Sequence, residues 1–256
     1  MTPRPETPEP APAGEKPEEE RKVLPPPTGH RYGEDMTLGS RLLYRATQGV
    51  VWTIGSTYFR VRIHGVERMP QSGPFILSPS HRSNLDTPVV SVLTPRRLRY
   101  MGKETLWHSS FGAWFLTSLG GFPVERGTAD RAAIKACEEV LRRGEPLVMF
   151  PEGTRQSGPV LGHFHDGPAY VACRTGVPIV PVGLAGTERA MPSGSKFVHP
   201  AKVVLVVGEP IRPPVPEGGA RVPRRVVREV TEELRESVQR LFDEAARRAG
   251  HPHPPR

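Results

Sequence analysis

Two kinds of apolar pattern alternate along the chain between residues 59 and 207. Short apolar runs at 59–63, 75–78, 98–101, 147–150, 177–182 and 203–207 predict strands. Between several of them the apolar residues recur with helical spacing, most clearly at 129–142, where Ile134, Cys137 and Leu141 share one face and Gly144 ends the helix. Strands that alternate with helices predict a single-domain α/β fold with a mixed, mostly parallel sheet flanked by helices.

The regions outside this alternation divide the chain into four parts. Residues 1–36 are rich in Pro and Glu and almost without large apolar residues, so we expect a disordered tail. Residues 37–60 are an apolar helical segment, 61–250 the main domain and 251–256 a second disordered tail. The domain is predicted to end in a long helix at 222–249, with one apolar stripe and an opposite face of mixed charge.

The segment at 37–60 allows two interpretations. It carries arginines in its first half and the aromatic residues Tyr44 and Trp52, which suits an amphipathic helix lying in a membrane interface. It equally suits a helix packed on the domain's own core. Gly49 and Gly55 weaken it as one rigid helix.

Charge and composition narrow the classes of partner. The net charge of +8 points to nucleic acid or to an anionic membrane surface. We predict no nucleic-acid binding, because the aromatic residues are not interleaved with basic ones and no binding motif is present. No apolar run reaches the roughly 18 residues of a membrane span, so a peripheral association is expected. Cys137 and Cys173 have no metal-ligand spacing, and we predict small core residues in a reduced compartment and no metal.

The polar segment at 80–86 contains the most informative chemistry. His81 and Asp86 follow the apolar run at 75–78 and would lie about 140° apart on a continuous helix. They can meet only if His81 lies in the turn before a helix and Asp86 in its first turn, with Ser83 or Asn84 as the N-cap. An imidazole held by a carboxylate is the usual general base for an alcohol.

Three further blocks follow in order: GFPVERG at 121–127, FPEGTR at 150–155 and VPIVPV at 177–182. With the histidine segment they resemble the glycerolipid acyltransferase family, specifically the bacterial 1-acylglycerol-3-phosphate acyltransferases. The resemblance extends from about residue 61 to residue 210 and makes 61–250 an acyltransferase domain. It implies direct transfer from an acyl thioester to a lipid alcohol without a covalent intermediate, and it favours the membrane interpretation of 37–60.

The resemblance assigns roles to residues of these blocks. His81 would be the general base, oriented by Asp86. Arg155 is the first candidate for the substrate phosphate, because a guanidinium binds it with two hydrogen bonds. Gly153 would let backbone N–H groups approach the anion, with Thr154 beside it. Glu152 would orient Arg155, bind a glycerol hydroxyl or form an ion pair. The secondary phosphate candidates are Arg126 and Lys103.

Three positions depart from the family pattern. Ser80 stands where relatives commonly have Asn, Gln156 where they have Ser, and His165 where they usually have Lys. The missing lysine leaves the acceptor open between 1-acylglycerol-3-phosphate and another lysolipid or polar lipid. A non-catalytic basic protein at the membrane surface is the alternative from another class.

The expected partners are a lysophospholipid, an acyl thioester and an anionic membrane surface, and the expected place is the cytoplasmic face of the cell membrane, peripheral or monotopic. The acyl donor is acyl-CoA or acyl carrier protein, used as a co-substrate, and no cofactor is expected.

Overall fold

A computed structural model of the protein describes residues 37–124, 130–215 and 221–254, except the side chains of Lys103 and Asp130. In this part of the chain seven strands form one sheet in the order β1-β7-β6-β2-β5-β3-β4. The strands are β1 (Arg62–His64), β2 (Ile76–Pro79), β3 (Arg99–Lys103), β4 (Gly121–Val124), β5 (Leu147–Val148), β6 (Ile179–Ala185) and β7 (Val204–Val207). All neighbouring pairs are parallel except β6 with β7, which confirms the mixed, mostly parallel sheet.

Helices cover both faces of the sheet. They are α1 (Leu38–Thr57), α2 (Asp86–Val90), α3 (Ser110–Ser118), α4 (Asp130–Arg142), α5 (Gly167–Thr175), α6 (Thr187–Ala190) and α7 (Arg224–Ala249). Short 3₁₀ turns lie at Val66–Arg68, Ser91–Leu93 and Glu104–Trp107.

The alternation of side chains along β2 shows how the two cores form. Phe75 and Leu77 pack on the α2 face with Val89 and Val90, whereas Ile76 packs on the opposite face. That opposite face is covered by α4, α5 and α7 and contains both cysteines, which are fully buried, as predicted. Burial raises the pKa of the Cys137 thiol to about 12, so this cysteine is a core residue rather than a nucleophile.

The long helix α7 crosses directly over β6. A Cβ atom at Gly183 would lie 2.1 Å from the backbone carbon of Leu241, so only glycine allows this approach. The almost completely buried residues of α7 include Val230, Leu234, Val238 and Phe242.

Several predicted boundaries are wrong for identifiable reasons. The strand predicted at 59–63 is β1 at Arg62–His64, because the N–H of Val61 bonds the carbonyl of Gly55 at the end of α1. The strand predicted at 147–150 is only Leu147–Val148, because the chain turns after Phe150. The predicted elements also omit β4 and α6.

Helix α1 is continuous despite its two glycines. It packs on the domain through a narrow face. The amide of Gln48 donates to the carbonyls of Ser91 and Thr94, and the hydroxyl of Tyr44 accepts from the N–H of Leu98. Within the described residues, no helix has both the length and the apolar character that crossing a bilayer requires.

After Gly250, in the tail that we predict to be disordered, the His253 ring lies 2.8 Å from the carboxylate of Asp243.

Candidate active site

The candidate site lies at the carboxyl ends of three neighbouring strands. β2 is the central strand of the three and runs parallel to β5 on one side and β6 on the other, so the three strands end at one edge of the sheet. His81 follows β2, Glu152 follows β5 and Thr187 follows β6. In open α/β sheets this edge is where ligands bind.

His81 and Asp86 are in direct contact, as their predicted placement requires. His81 lies in the turn before α2 and Asp86 is the first residue of that helix. The ring atom Nδ1 of His81 is 2.9 Å from Oδ2 of Asp86. An ionised carboxylate accepts hydrogen bonds only, so this contact favours the tautomer with the proton on Nδ1, which leaves the Nε2 lone pair free in the neutral ring.

The Asp86 carboxylate is fully buried and accepts four hydrogen bonds. Its Oδ2 atom accepts the backbone N–H groups of Arg82 at 2.6 Å and Ser83 at 2.7 Å, besides the His81 ring. Its Oδ1 atom accepts the hydroxyl of Thr187 at 2.6 Å. The tight turn that carries His81 is therefore folded around this carboxylate.

The predicted N-cap of α2 is wrong. Leu85 occupies the cap position and makes no side-chain cap bond. The Ser83 hydroxyl instead accepts the N–H of Leu85 and donates to the carbonyl of Met191.

The imidazole of His81 is held on one face as well as at Nδ1. It stacks on the ring of Phe150, with the centroids 4.0 Å apart and the planes 26° from parallel. Its side chain is 16% exposed. Among the described residues none bonds Nε2, so this nitrogen is the one open to a substrate proton.

Glu152 is buried, and it contacts the His81 turn as well as the backbone of Gly162. Its Oε1 accepts the backbone N–H of His81 at 2.8 Å, and its Oε2 lies 3.5 Å from the Arg82 guanidinium, which itself covers the ring of Phe242. Of the alternatives for Glu152, the structure contains the ion pair, with Arg82 as the partner. Burial raises the pKa of Glu152 and lowers the pKa of Arg82, because both groups are desolvated.

The phosphate candidates Gly153, Thr154 and Arg155 form an exposed turn beside this pair. Gly153 has a φ of +69°, and a Cβ atom there would lie 2.8 Å from the His165 ring. The N–H of Gln156 donates to the carbonyl of His81 at 2.9 Å, which ties the turn to the proposed base. Thus Arg155 is held next to the His81 turn, and its side chain is free to face solvent.

Two further phosphate candidates are less well defined. Lys103 ends β3 at the same edge of the sheet, and its side chain is outside the described part of the structure. Arg126 lies outside the described residues altogether.

Two of the departures from the family pattern have visible local contacts. Ser80 is buried and its hydroxyl bonds both backbone groups of Leu184, which fastens the end of β2 to the end of β6. The amide of Gln156 donates to the hydroxyl of Thr154 within the phosphate turn.

Sequence reasoning did not find three residues of this site: Arg82, Phe150 and Thr187. Arg82 and Phe150 lie inside the motifs. The signal in the sequence that could have found them is a charged or aromatic side chain next to a motif residue. Thr187 lies two residues after β6, and no spacing in the sequence relates it to Asp86.

An apolar cavity of about 340 Å³ adjoins the site. It lies between α1, α2, β3 and α3, and Thr87, next to Asp86, is part of its wall. Its apolar lining includes Val51, Pro88, Met101, Trp107 and Leu116.

The fold and the histidine–carboxylate pair define a class of protein. Residues 60–185 match the family model described as Acyltransferase. A 1-acyl-sn-glycerol-3-phosphate acyltransferase of Bacillus subtilis is 27% identical over 170 residues, which cover 66% of this chain and 82% of that protein. A chloroplast 1-acyl-sn-glycerol-3-phosphate acyltransferase of Arabidopsis thaliana is 30% identical over 167 residues, which cover 63% of this chain.

The matched segment covers only 47% of that chloroplast relative. Among solved structures, the 1-acyl-sn-glycerophosphate (LPA) acyltransferase PlsC from Thermotoga maritima superposes with a TM-score of 0.64 at 26% identity, over 80% of each chain.

Proposed function

We propose that the protein transfers a fatty acyl group from an acyl thioester to the sn-2 hydroxyl of 1-acylglycerol-3-phosphate, giving phosphatidic acid. The observation that carries the proposal is the His81–Asp86 pair, with Nε2 open and an apolar cavity beside it. The relatives named for this reaction support the choice of acceptor.

The proposed reaction is a direct transfer. Nε2 of His81 removes the proton of the acceptor hydroxyl as its oxygen bonds the thioester carbonyl carbon. The carbon–sulfur bond then breaks, and the imidazolium returns its proton to the leaving thiolate. Asp86 stabilises the imidazolium at 2.9 Å and keeps the ring in the required tautomer. The donor is acyl-CoA or acyl carrier protein, and the proposed reaction needs no cofactor.

The apolar cavity is the proposed site of an acyl chain. Its walls offer few polar groups, and it begins beside Asp86, so a chain bound there would place its carbonyl near His81. Arg155 is the proposed phosphate ligand, with Gly153 and Thr154 in the same exposed turn. Lys103 and Arg126 remain proposed secondary ligands. Glu152, with its side chain buried, is proposed as a support of the His81 turn rather than a glycerol ligand.

We propose that α1 and α3 rest on the cytoplasmic face of the cell membrane. Both helices expose large apolar side chains: Leu42 by 62%, Trp52 by 49%, Phe111 by 73% and Trp114 by 41%. The helices meet where Ser40 and Ser118 lie 3.5 Å apart, and both line the apolar cavity. A lipid substrate would then reach the cavity from the membrane side.

Vesicle binding tests the membrane proposal. The double variant Trp52→Ser/Phe111→Ser should lose most of its binding to vesicles containing an anionic phospholipid, because each change removes an exposed apolar anchor. The matched control Val215→Ser replaces an apolar side chain that is 57% exposed and lies beside Gly176 at the end of α5, and it should bind as the wild type does. Equal loss in both variants would disprove the assignment of this face.

Thiol release from palmitoyl-CoA tests the reaction. The acceptors are lysophosphatidic acid, other lysophospholipids and none, each with wild type and His81→Ala. We expect release that requires both lysophosphatidic acid and His81. Release only with another lysolipid would mean that this lysolipid, and not lysophosphatidic acid, is the acceptor. Other lysolipids are tested because His165 stands where relatives usually have lysine. If palmitoyl-CoA gives no release, palmitoyl-acyl carrier protein replaces it, and no release with either donor would favour a non-catalytic protein.

A further inference from the structure

Thr187 makes a hydrogen bond that the reaction as described does not use. Its hydroxyl is fully buried and donates to Oδ1 of Asp86 at 2.6 Å. In the described part of the chain, Oδ1 accepts no other hydrogen bond. The three other donors of this carboxylate, the His81 ring and two backbone N–H groups, all bind Oδ2.

The fold places Thr187 at this point through the end of β6. The hydroxyl of Ser80 bonds the backbone of Leu184, so the ends of β2 and β6 are fixed together. The chain then turns at Gly186, whose φ is +95° and where a Cβ atom would lie 2.2 Å from the carbonyl of Lys202. This turn starts α6 with Thr187, and the Glu188 carboxylate accepts the N–H of Gly186.

We propose that Thr187 is a positioning residue of the general base and acts through Asp86, so the proposal rests on the proposed function. A buried carboxylate oxygen without a donor is unfavourable. Without the Thr187 hydroxyl, the carboxylate would turn to share the N–H groups of Arg82 and Ser83 between its two oxygens. That turn would move Oδ2 away from Nδ1 of His81. The ring would then lose both its orientation and its preference for the tautomer with Nε2 unprotonated.

The first test uses Thr187→Val, which keeps the shape and removes the hydroxyl, and Thr187→Ser, which restores it. If the transition state loses the full free energy of this hydrogen bond to a charged group, kcat of the valine variant should be about 10- to 100-fold lower than that of the wild type. KM for both substrates should stay within about twofold, and serine should recover most of kcat.

Thr231→Val is a matched control. The Thr231 hydroxyl also lies within donating distance of a carboxylate, that of Asp166 at 2.8 Å, and of the Val227 carbonyl at 2.9 Å, in the contact between α7 and the start of α5. Its removal should leave kcat unchanged. In a His81→Ala background, Thr187→Val should cause almost no further loss, because a residue that acts only through the base has nothing left to position.

A second measurement does not depend on turnover. Nitrogen-15 NMR of His81, assigned by its loss in His81→Gln, should show Nδ1 protonated and Nε2 unprotonated in wild type when the ring is neutral. Thr187→Val should shift both signals toward a mixture of the two tautomers, and Thr187→Ser should restore them. Unchanged signals in a folded Thr187→Val protein would overturn the positioning role. A tautomer shift without acyl transfer in wild type would keep that role and refute the proposed function.

Discussion

The substitution Asp86→Asn isolates the charge of the carboxylate from its geometry. If the amide oxygen takes the place of Oδ2, it can still accept the N–H groups of Arg82 and Ser83 and the His81 ring. The amide NH₂ then faces Thr187, whose hydroxyl can accept a hydrogen bond as well as donate one. The variant should therefore keep its fold and lose only the negative charge.

The size of the effect follows from the distance. An imidazolium and a carboxylate 2.9 Å apart attract by about 6 kcal/mol at an effective dielectric constant of about 20. Full loss of this attraction in the transition state would lower kcat by about 10⁴-fold. The neutral hydrogen bond that asparagine retains is worth about 1 kcal/mol, so we expect a loss between about 10³- and 10⁴-fold.

Single-turnover acyl transfer to lysophosphatidic acid measures this loss, with circular dichroism to confirm the fold. The matched control is Asp243→Asn, because Asp243 forms the same kind of pair with His253 at 2.8 Å, outside the site. That control should keep wild-type kcat. A folded Asp86→Asn protein within tenfold of wild-type kcat would refute a charged partner for the base.

Three other perturbations test separate parts of the structure. Arg82→Met should lower the free energy of unfolding by about 3–5 kcal/mol in urea titrations, because it leaves the buried Glu152 carboxylate without its ion partner. The double variant Arg82→Met/Glu152→Gln should regain part of that loss. Arg155→Ala should raise KM for lysophosphatidic acid about tenfold with little change in kcat, measured by initial rates. Leu116→Trp should fill the apolar cavity and raise KM for palmitoyl-CoA while leaving decanoyl-CoA unaffected.

The controls and contrary outcomes are specific to each. Glu139→Gln breaks exposed ion pairs on α4 and should lower the free energy of unfolding by less than about 1 kcal/mol. If Arg82→Met lowered it by no more than this control does, burial would not strengthen the dependence on the Arg82–Glu152 pair. Arg240→Ala removes an exposed arginine of α7 and should leave KM unchanged, so parallel changes in the two arginine variants would remove Arg155 from the phosphate site. Equal effects of Leu116→Trp on both chain lengths would place the acyl chain elsewhere.

The parts of the fold that were predictable are those in which local pattern and burial agree. The amphipathic helix α4 and the buried strand β7 match their predicted type and extent within one residue, because their apolar spacing defines both. The type of β6 is also as predicted, but this strand runs from Ile179 to Ala185 rather than over 177–182. β4 was missed because its sequence, Gly-Phe-Pro-Val, has low strand propensity and forms a strand by pairing with β3 at the sheet edge. The start of β1 was misplaced because Phe59 and Val61 are buried under the end of α1 and not in the sheet.

The same distinction separates the predictable from the unpredictable part of the site. His81 and Asp86 are five residues apart, so their contact depends only on one turn and could be deduced from spacing. Thr187 lies 101 residues from Asp86, and its contact depends on β6 lying beside β2 in a parallel arrangement. A single sequence does not give the order of the strands in the sheet. It therefore cannot show which residues at the ends of different strands come into contact. Residues that hold a catalytic pair from a neighbouring strand are for this reason found by structure, and mutational scans guided by motifs alone would omit Thr187.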